Sequence, residues 1–136
     1  KVETHEVEGK QQEILVHRKG ATRSFPDIPV LIAGSMGTAS YILKGTDKAM
    51  KIAFGSTCHG AGRAMSRNKA IRKFKGQQIQ KDLESKGEVI KATGYEVLAE
   101  EAPEAYKDIE GVIDSVHNAG ISLKVARMRP MGVVKG

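Results

Sequence analysis

Tryptophan is absent from this 136-residue chain, and aromatic residues make up only 4% of it. A platform that stacks single-stranded bases needs interleaved aromatic side chains, and no such pattern occurs. The hydrophobic core must instead be built from Val, Ile, Leu, Ala and Met. There is a single cysteine, Cys58, which excludes a disulfide within the chain and a zinc site made of several thiolates. Long apolar runs are missing as well. No stretch approaches the roughly 18 consecutive apolar residues of a membrane span, and the charged opening segment KVETHEVEGKQQEILVHRKG has no signal-peptide core. A soluble, cytoplasmic protein with no membrane partner is the expectation. Internal repeats, low-complexity tracts and long linkers are also lacking, which favours one α+β domain with a mixed or antiparallel sheet and helices over two small domains.

What is abundant is positive charge. Lys and Arg number 22 against 16 Asp and Glu, a formal net charge of +6. A positive field attracts polyanions, and each neutralised phosphate releases counterions, although ordinary soluble surfaces also carry such an excess. Two clusters stand out: Arg18, Lys19 and Arg23, then Arg63, Arg67, Lys69, Arg72, Lys73 and Lys75. Either can meet an RNA backbone or simply solvate a face. Arg63 and Arg67 would share a face if their segment is helical. The chain opens on Lys in what reads as the middle of a strand, so a fragment or processed product is expected.

Local patterns predict the elements. Val2–Val7 and Glu13–His17 alternate as strands around a turn at Glu8-Gly9-Lys10. Val30–Ala33 and Ser40–Leu43 read as strands, and Thr46 caps a helix through Phe54. Gly55–Gly62 is expected as a loop entering a basic helix over Arg63–Phe74. A further helix spans Gln77–Ser85, a strand Glu88–Ala92, and a partly helical piece Glu100–Ala105. Ile109, Val112, Ile113 and Val116 form the apolar stripe of a helix over Asp108–Ala119. Ile121–Met128 is extended, and Pro130–Gly136 is a glycine-containing tail.

The chemistry concentrates in Gly55-Ser56-Thr57-Cys58-His59-Gly60-Ala61-Gly62-Arg63. Glycines permit close backbone approach to a bulky ligand, and backbone amides with Arg63 can stabilise phosphate oxygens. His59 can serve as an acid, a metal ligand or a nitrogen nucleophile toward phosphorus; the alternative is a polar loop that satisfies its own backbone. Cys58 reads as an inert thiol rather than a nucleophile. Gly34-Ser35-Met36-Gly37-Thr38-Ala39-Ser40 has the same small, hydroxyl-rich character, but lacks both the G-x-x-x-x-G-K-[ST] and the G-x-G-x-x-G patterns. His5 and His117 lack any metal-ligand spacing and read as structural or surface residues.

Taken together, His17–Arg23, Ala33–Tyr41, Phe54–Arg63, Glu100–Lys107 and Val125–Gly136 resemble the C-terminal region of RtcB RNA ligases over nearly the whole chain. FGSTCHGAGR and the terminal MGVVKG carry the resemblance in combination, and AEEAPEAYKDI adds to it. It implies the C-terminal part of a single catalytic domain of a GTP- and manganese-dependent ligase active in tRNA splicing or RNA repair. Such enzymes join RNA ending in a 2′,3′-cyclic phosphate or 3′-phosphate to RNA with a 5′-hydroxyl, with an archease-like activator as a possible partner. The resemblance makes His59 the guanylylated catalytic residue. It assigns Ala33, Gly34, Ser35, Met36 and Ser40 to the guanylate pocket, with His59, Gly60, Ala61, Gly62 and Lys135. Arg63 falls near RNA or the transferring phosphate, and Arg18, Lys19 and Arg23 on the RNA side. The paired manganese ligands fall in an N-terminal body upstream of Lys1, with none in this chain, so these residues alone are expected to ligate RNA poorly or not at all. The other function considered is a noncatalytic or partner-dependent RNA-binding module. Two departures accompany the match: Ala33 stands where the family commonly has proline, and Phe25–Val30 is a short connection for the family.

Overall fold

Alternation at the start of the chain closes into a hairpin. Strands β1 (Val2–Val7) and β2 (Lys10–Leu15) pair antiparallel, with Val7 opposite Lys10. Glu8 and Gly9 both take positive φ, 51° and 76°, the backbone that matches the twist of a two-residue hairpin turn. The computed structural model describes residues Lys1–Gly136. After the hairpin come β3 (Ala21–Arg23), β4 (Pro29–Ile32), β5 (Ser40–Gly45), α1 (Asp47–Ala53) and β6 (Ser56–Cys58). Next are α2 (Arg67–Lys73), α3 (Gly76–Ser85), β7 (Val89–Ala92) and α4 (Tyr95–Glu100). A 3-10 turn (Pro103–Ala105), α5 (Ile109–Asn118), β8 (Ser122–Met128) and β9 (Gly132–Lys135) complete the chain.

The architecture is α+β. A three-stranded antiparallel sheet runs β4-β5-β8, a short antiparallel pair joins β3 to β6, and β7 pairs with β9 in parallel. Helices α1, α2 and α5 start at side-chain caps. The Thr46 hydroxyl accepts from the Ala49 amide, and the Asp108 carboxylate from the amides of Glu110 and Gly111. Along α5, Ile109 and Ile113 are buried while Val112 and Val116 are half-buried, the stripe that its period requires.

Three expectations are corrected. The basic helix begins at Arg67, because the Ser66 hydroxyl caps it through the Lys69 amide. Arg63 lies before it, bridged to Tyr106, and the amides of Ala64 and Met65 donate to the Ala105 carbonyl; Arg63 and Arg67 therefore share no helix face. Gly55–Gly62 is not wholly loop, since Ser56–Cys58 finds a partner in β3. The terminal residues are not a tail: Gly132–Lys135 form a strand that pairs with Val89–Ala92. Helix α4 covers residues 95–99, for which no element is expected, and runs into the expected partly helical piece at Glu100, where the 3-10 turn at Pro103–Ala105 completes it.

Two apolar clusters hold these elements. One gathers Met36, Ala70, Ile79, Leu83, Ile90 and Leu98 among others; the second gathers Val30, Ile32, Ala39, Tyr41, Leu43 and the α5 stripe. The loop between β4 and β5 crosses from one to the other, sending Met36 into the first and Ala39 into the second. The segment after β6 does the same, with Ala61 against the second cluster and Met65 against the first. Both loops are thus fixed at two points by burial, the term that dominates folding.

Close helix packing sets one strict requirement. A methyl group at Gly76 would lie 1.9 Å from the Tyr95 carbonyl oxygen, a backbone atom that cannot step aside. Gly76→Ala is expected to lower unfolding free energy by about 1–3 kcal/mol through overpacking. At Gly111, inside α5, the new methyl meets only the Asp108 carboxylate at 3.4 Å, so Gly111→Ala should gain about 0.5–1 kcal/mol of helix propensity. Denaturant midpoints of the two variants in the intact protein check this; equal midpoints would contradict the packing described.

Candidate functional site

The turn after β4 is built to be tight. The Gly34 amide donates to Ser40 Oγ at 3.1 Å, the Thr38 amide to the Ser35 carbonyl at 3.2 Å, and Thr38 Oγ1 to the same carbonyl at 2.9 Å. A side chain at Gly34 would strike the Ala39 carbonyl oxygen at 2.0 Å, which explains glycine there. Facing this turn is the end of the chain. Gly34, Ser35, Met36, Thr38 and Ser40 line a cleft of about 210 Å³ whose opposite wall is Pro130 and Gly132–Lys135. Five of the residues assigned to the guanylate pocket therefore share one cleft: Gly34, Ser35, Met36, Ser40 and Lys135. Met36 is only 1% exposed, so its side chain anchors the loop. Ala33 is exposed at the near end.

His59 follows β6, and the pairing of β6 with β3 brings Gly20 beside it. A methyl group at Gly20 would sit 3.9 Å from His59 Nε2, so the missing side chain leaves that edge of the ring open. The ring is exposed to solvent. Gly60 abuts the cleft region, since its Cβ would lie 3.2 Å from the Ala33 carbonyl oxygen. Gly62 takes φ +70°, and its carbonyl accepts from the Lys107 amide at 2.9 Å. His59, Gly60, Ala61 and Gly62 do not line the 210 Å³ cleft; they adjoin it across the Ala33–Gly60 contact. Cys58 is half-buried, and burial pushes its thiol up, which disfavours the thiolate a nucleophile needs.

A carboxylate that sequence reading did not single out connects these parts. Arg63 Nη1 donates to Glu101 Oε1 at 3.2 Å and to the Tyr106 hydroxyl at 3.0 Å. The Tyr106 hydroxyl donates to Glu101 Oε2 at 2.6 Å, and Lys135 Nζ reaches the same oxygen at 3.3 Å. Arg67 Nε lies 3.9 Å from Oε1. The Glu101 carbonyl accepts from Ser35 Oγ at 3.2 Å. Arg63 also binds the carbonyls of Met65 and Glu100 and lies 4.8 Å from the Tyr106 ring centre. Burial alone would raise the Glu101 carboxyl, but the Tyr106 hydroxyl, Lys135 and Arg63 outweigh it and hold it below the usual carboxylate value. Burial and then the Glu101 charge push the Tyr106 phenol up. The only sequence signal for this junction was its place within AEEAPEAYKDI.

The first basic cluster divides. Arg18 turns inward, its fork on Glu3 at 2.9 and 2.7 Å, with further bonds to Ser56 Oγ and the Phe54 carbonyl at 2.8 Å each. Its side chain is 11% exposed, and these donors are engaged within the fold. Lys19 is exposed, and Arg23 is exposed while stacking 3.8 Å over the Phe25 ring. His5 is buried, with Nε2 3.2 Å from Glu3 Oε2. His117 Nδ1 accepts from the Lys124 amide at 3.2 Å. No group of three or more His, Cys, Asp and Glu side chains gathers to hold a metal ion, and no helix is long and apolar enough to cross a membrane.

Comparison with known proteins gives a consistent result. The family model for tRNA-splicing ligase RtcB matches residues 1–136. The tRNA-splicing ligase RtcB of Archaeoglobus fulgidus is 56% identical over 149 aligned residues, covering 100% of this chain and 31% of that protein. The Pyrococcus horikoshii protein of that name is 54% identical, covering 100% of this chain and 17% of its own length. For Methanopyrus kandleri the identity is 51% over 152 residues, again 100% of this chain and 15% of the relative. The chain thus spans less than a third of the length of the curated relatives it matches.

The Glu3–Arg18 pair makes a pH prediction. The Arg18 hydrogen bonds, with help from His5 and Arg23 and against burial, lower the Glu3 carboxyl from 4.5 to about 2. A depressed folded-state value means stability that is fully present above 4.5 and lost as pH falls toward about 2. Acid titration of unfolding should therefore show a weaker stability loss across that window in Glu3→Gln than in the parent. Identical acid limbs would contradict the assignment.

Proposed function

The chain belongs to the tRNA-splicing ligase RtcB family, and from that premise we propose that it is the guanylate-binding part of a GTP-dependent RNA ligase. One observation carries the reading: a single cleft gathers Gly34, Ser35, Met36, Ser40 and Lys135 from segments far apart in sequence, with the His59 loop touching its rim at Ala33. A volume of about 210 Å³ falls below the roughly 300 Å³ at which complete small-molecule sites begin. The cleft therefore takes the nucleoside, and the phosphates run past Ala33 and Gly60 toward the exposed ring of His59. Lys135 donates hydrogen bonds and suits the acceptor edge of guanine. Ser35 and Ser40 supply hydroxyls to the same space.

In this reading a ring nitrogen of His59 attacks the α-phosphorus of GTP. A phosphorus–nitrogen bond forms, the bond to the β-phosphate oxygen breaks, pyrophosphate leaves, and the ring gives up its proton. The guanylyl group next passes to an oxygen of the RNA 3′-phosphate, breaking the phosphorus–nitrogen bond and restoring the imidazole. The RNA 5′-hydroxyl then attacks the 3′-phosphorus, loses its proton and displaces GMP. A 2′,3′-cyclic phosphate is opened by water before activation. Arg63 follows the His59 loop in sequence, and a phosphate oxygen would reach its guanidinium by sharing or displacing the bonds it makes to Glu100, Glu101, Met65 and Tyr106.

Manganese supplies charge neutralisation and alignment of a triphosphate when bound. The side chains of these residues do not fit a metal centre, because they form no cluster of ligands. We place its ligands in the remainder of the longer family polypeptide. The domain proposed is accordingly one catalytic body of which residues 1–136 are a part.

The test is intact-mass analysis of the full-length protein incubated with GTP and manganese. One acid-labile guanylyl adduct is expected, mapping to His59 and absent from His59→Gln. An adduct that persists unchanged in His59→Gln would contradict the proposed nucleophile. Absence of any adduct would favour a noncatalytic RNA-binding module.

A further inference from the structure

The loop that forms one wall of the nucleotide cleft has a second face. Gly34, Ser35, Met36, Thr38 and Ser40 line the first cleft, whereas Gly37 and Ala39 line another of about 150 Å³ on the far side. Pro130 borders both. The rest of the second cleft is charged: Lys86 at the end of α3, Glu88 before β7, and Arg127 and Arg129 around the end of β8.

These charges are unequally committed. Glu88 is 8% exposed, and one of its carboxylate oxygens accepts from the Gly37 amide at 3.3 Å, so part of its charge is taken up by the loop while the side chain still lines the cleft. Arg127 Nε donates to Glu110 at 2.9 Å, on the neighbouring helix. Lys86 and Arg129 are both exposed and enter no ion pair. Lys86 and Arg129, with no carboxylate partner, and Arg127, paired to Glu110, thus line a small polar hollow whose one carboxylate is Glu88. Folding gains nothing from holding like charges together, whereas a bound anion with several oxygens would satisfy them, an Arg fork being suited to phosphate.

We infer that this second cleft binds a phosphodiester of the RNA strand, an inference that rests on the RNA-ligase reading above. The phosphate belongs to RNA and not to GTP because the Gly37–Ala39 segment stands between this cleft and the nucleotide, whose own phosphates run toward His59. The loop therefore reads nucleotide on one face and polynucleotide on the other. Lys86 and Arg129 act as positioning residues for the strand and touch no reacting atom.

The test compares the full-length protein with its Lys86→Gln/Arg129→Gln variant. RNA bearing a 3′-phosphate is titrated by fluorescence anisotropy over a salt series, and His59 guanylylation is followed by intact mass across GTP concentrations. The variant is expected to bind RNA roughly tenfold more weakly at low salt, with the log–log salt slope reduced by about 0.7, as loss of one neutralised phosphate of a single strand requires. Guanylylation and its GTP dependence should be unchanged. Unaltered RNA affinity and slope would overturn the inference. So would an equal loss in Lys10→Gln/Lys81→Gln, which removes two exposed cations elsewhere, or a weakened GTP dependence, which would assign the cleft to the triphosphate. Absence of an adduct in the parent protein would instead count against the ligase reading, and the RNA titration remains readable in that case.

Discussion

The Glu101 carboxylate is the point on which the site's geometry turns. Its two oxygens receive Arg63, Tyr106 and Lys135, with Arg67 at the edge, while its backbone carbonyl fixes Ser35. Four segments with no local reason to meet are joined through one side chain and its peptide. Low solvent access strengthens such a network and makes it costly to leave half-satisfied. Removing the carboxylate would strand partly buried cations, which is a heavier loss than the net worth of the pairs themselves. Arg63 also depends on this arrangement, its guanidinium held by Glu101, Tyr106 and the carbonyls of Glu100 and Met65.

Burial supplies the rigidity on which that network acts. Each of the two glycine-containing loops is secured by one side chain in each apolar cluster, Met36 and Ala39 in the first loop, Ala61 and Met65 in the second. Gly37 and Thr38 lie between the first pair of anchors, with Gly34, Ser35 and Ser40 flanking it; Gly62, Arg63 and Ala64 lie between the second pair, which His59 and Gly60 precede. A loop held at both ends by packing presents its amides and hydroxyls without paying to order them when a ligand arrives. The open edge of His59 follows from the same economy, because Gly20 across the β3–β6 pair contributes no side chain.

Local signals read the fold well where the physics is local. The hairpin at Glu8-Gly9, the capped helix after Thr46 and the stripe of α5 all follow from backbone preference or period. Pairings between distant segments were not legible: Ser56–Cys58 and Gly132–Lys135 are short and glycine-flanked, and they become strands only because β3 and β7 offer them partners. The helix start differs from the expectation because Arg63, Ala64 and Met65 are good helix formers, while the Ser66 hydroxyl caps the helix three residues later. Helix α4 was not legible because it is six residues long and has no side-chain cap at Gly94, which leaves neither a period nor a start signal. At the site, glycine and hydroxyl content marked both loops as ligand-facing, but nothing in the spacing named the ligand; the guanylate assignments came from resemblance. Glu101 escaped notice because a single glutamate in an acidic stretch, Glu100-Glu101 with Glu104, carries no distinguishing pattern until Arg63, Tyr106 and Lys135 converge on it.

The most direct test of this account is an experimental structure of the full-length protein carrying guanylate. The account predicts the guanine between the Gly34–Ser40 loop and Lys135, its phosphorus bonded to His59, and Glu101 still joined to Arg63 or Lys135. A guanine bound outside that cleft, with Ser35, Ser40 and Lys135 remote from it, would contradict the account.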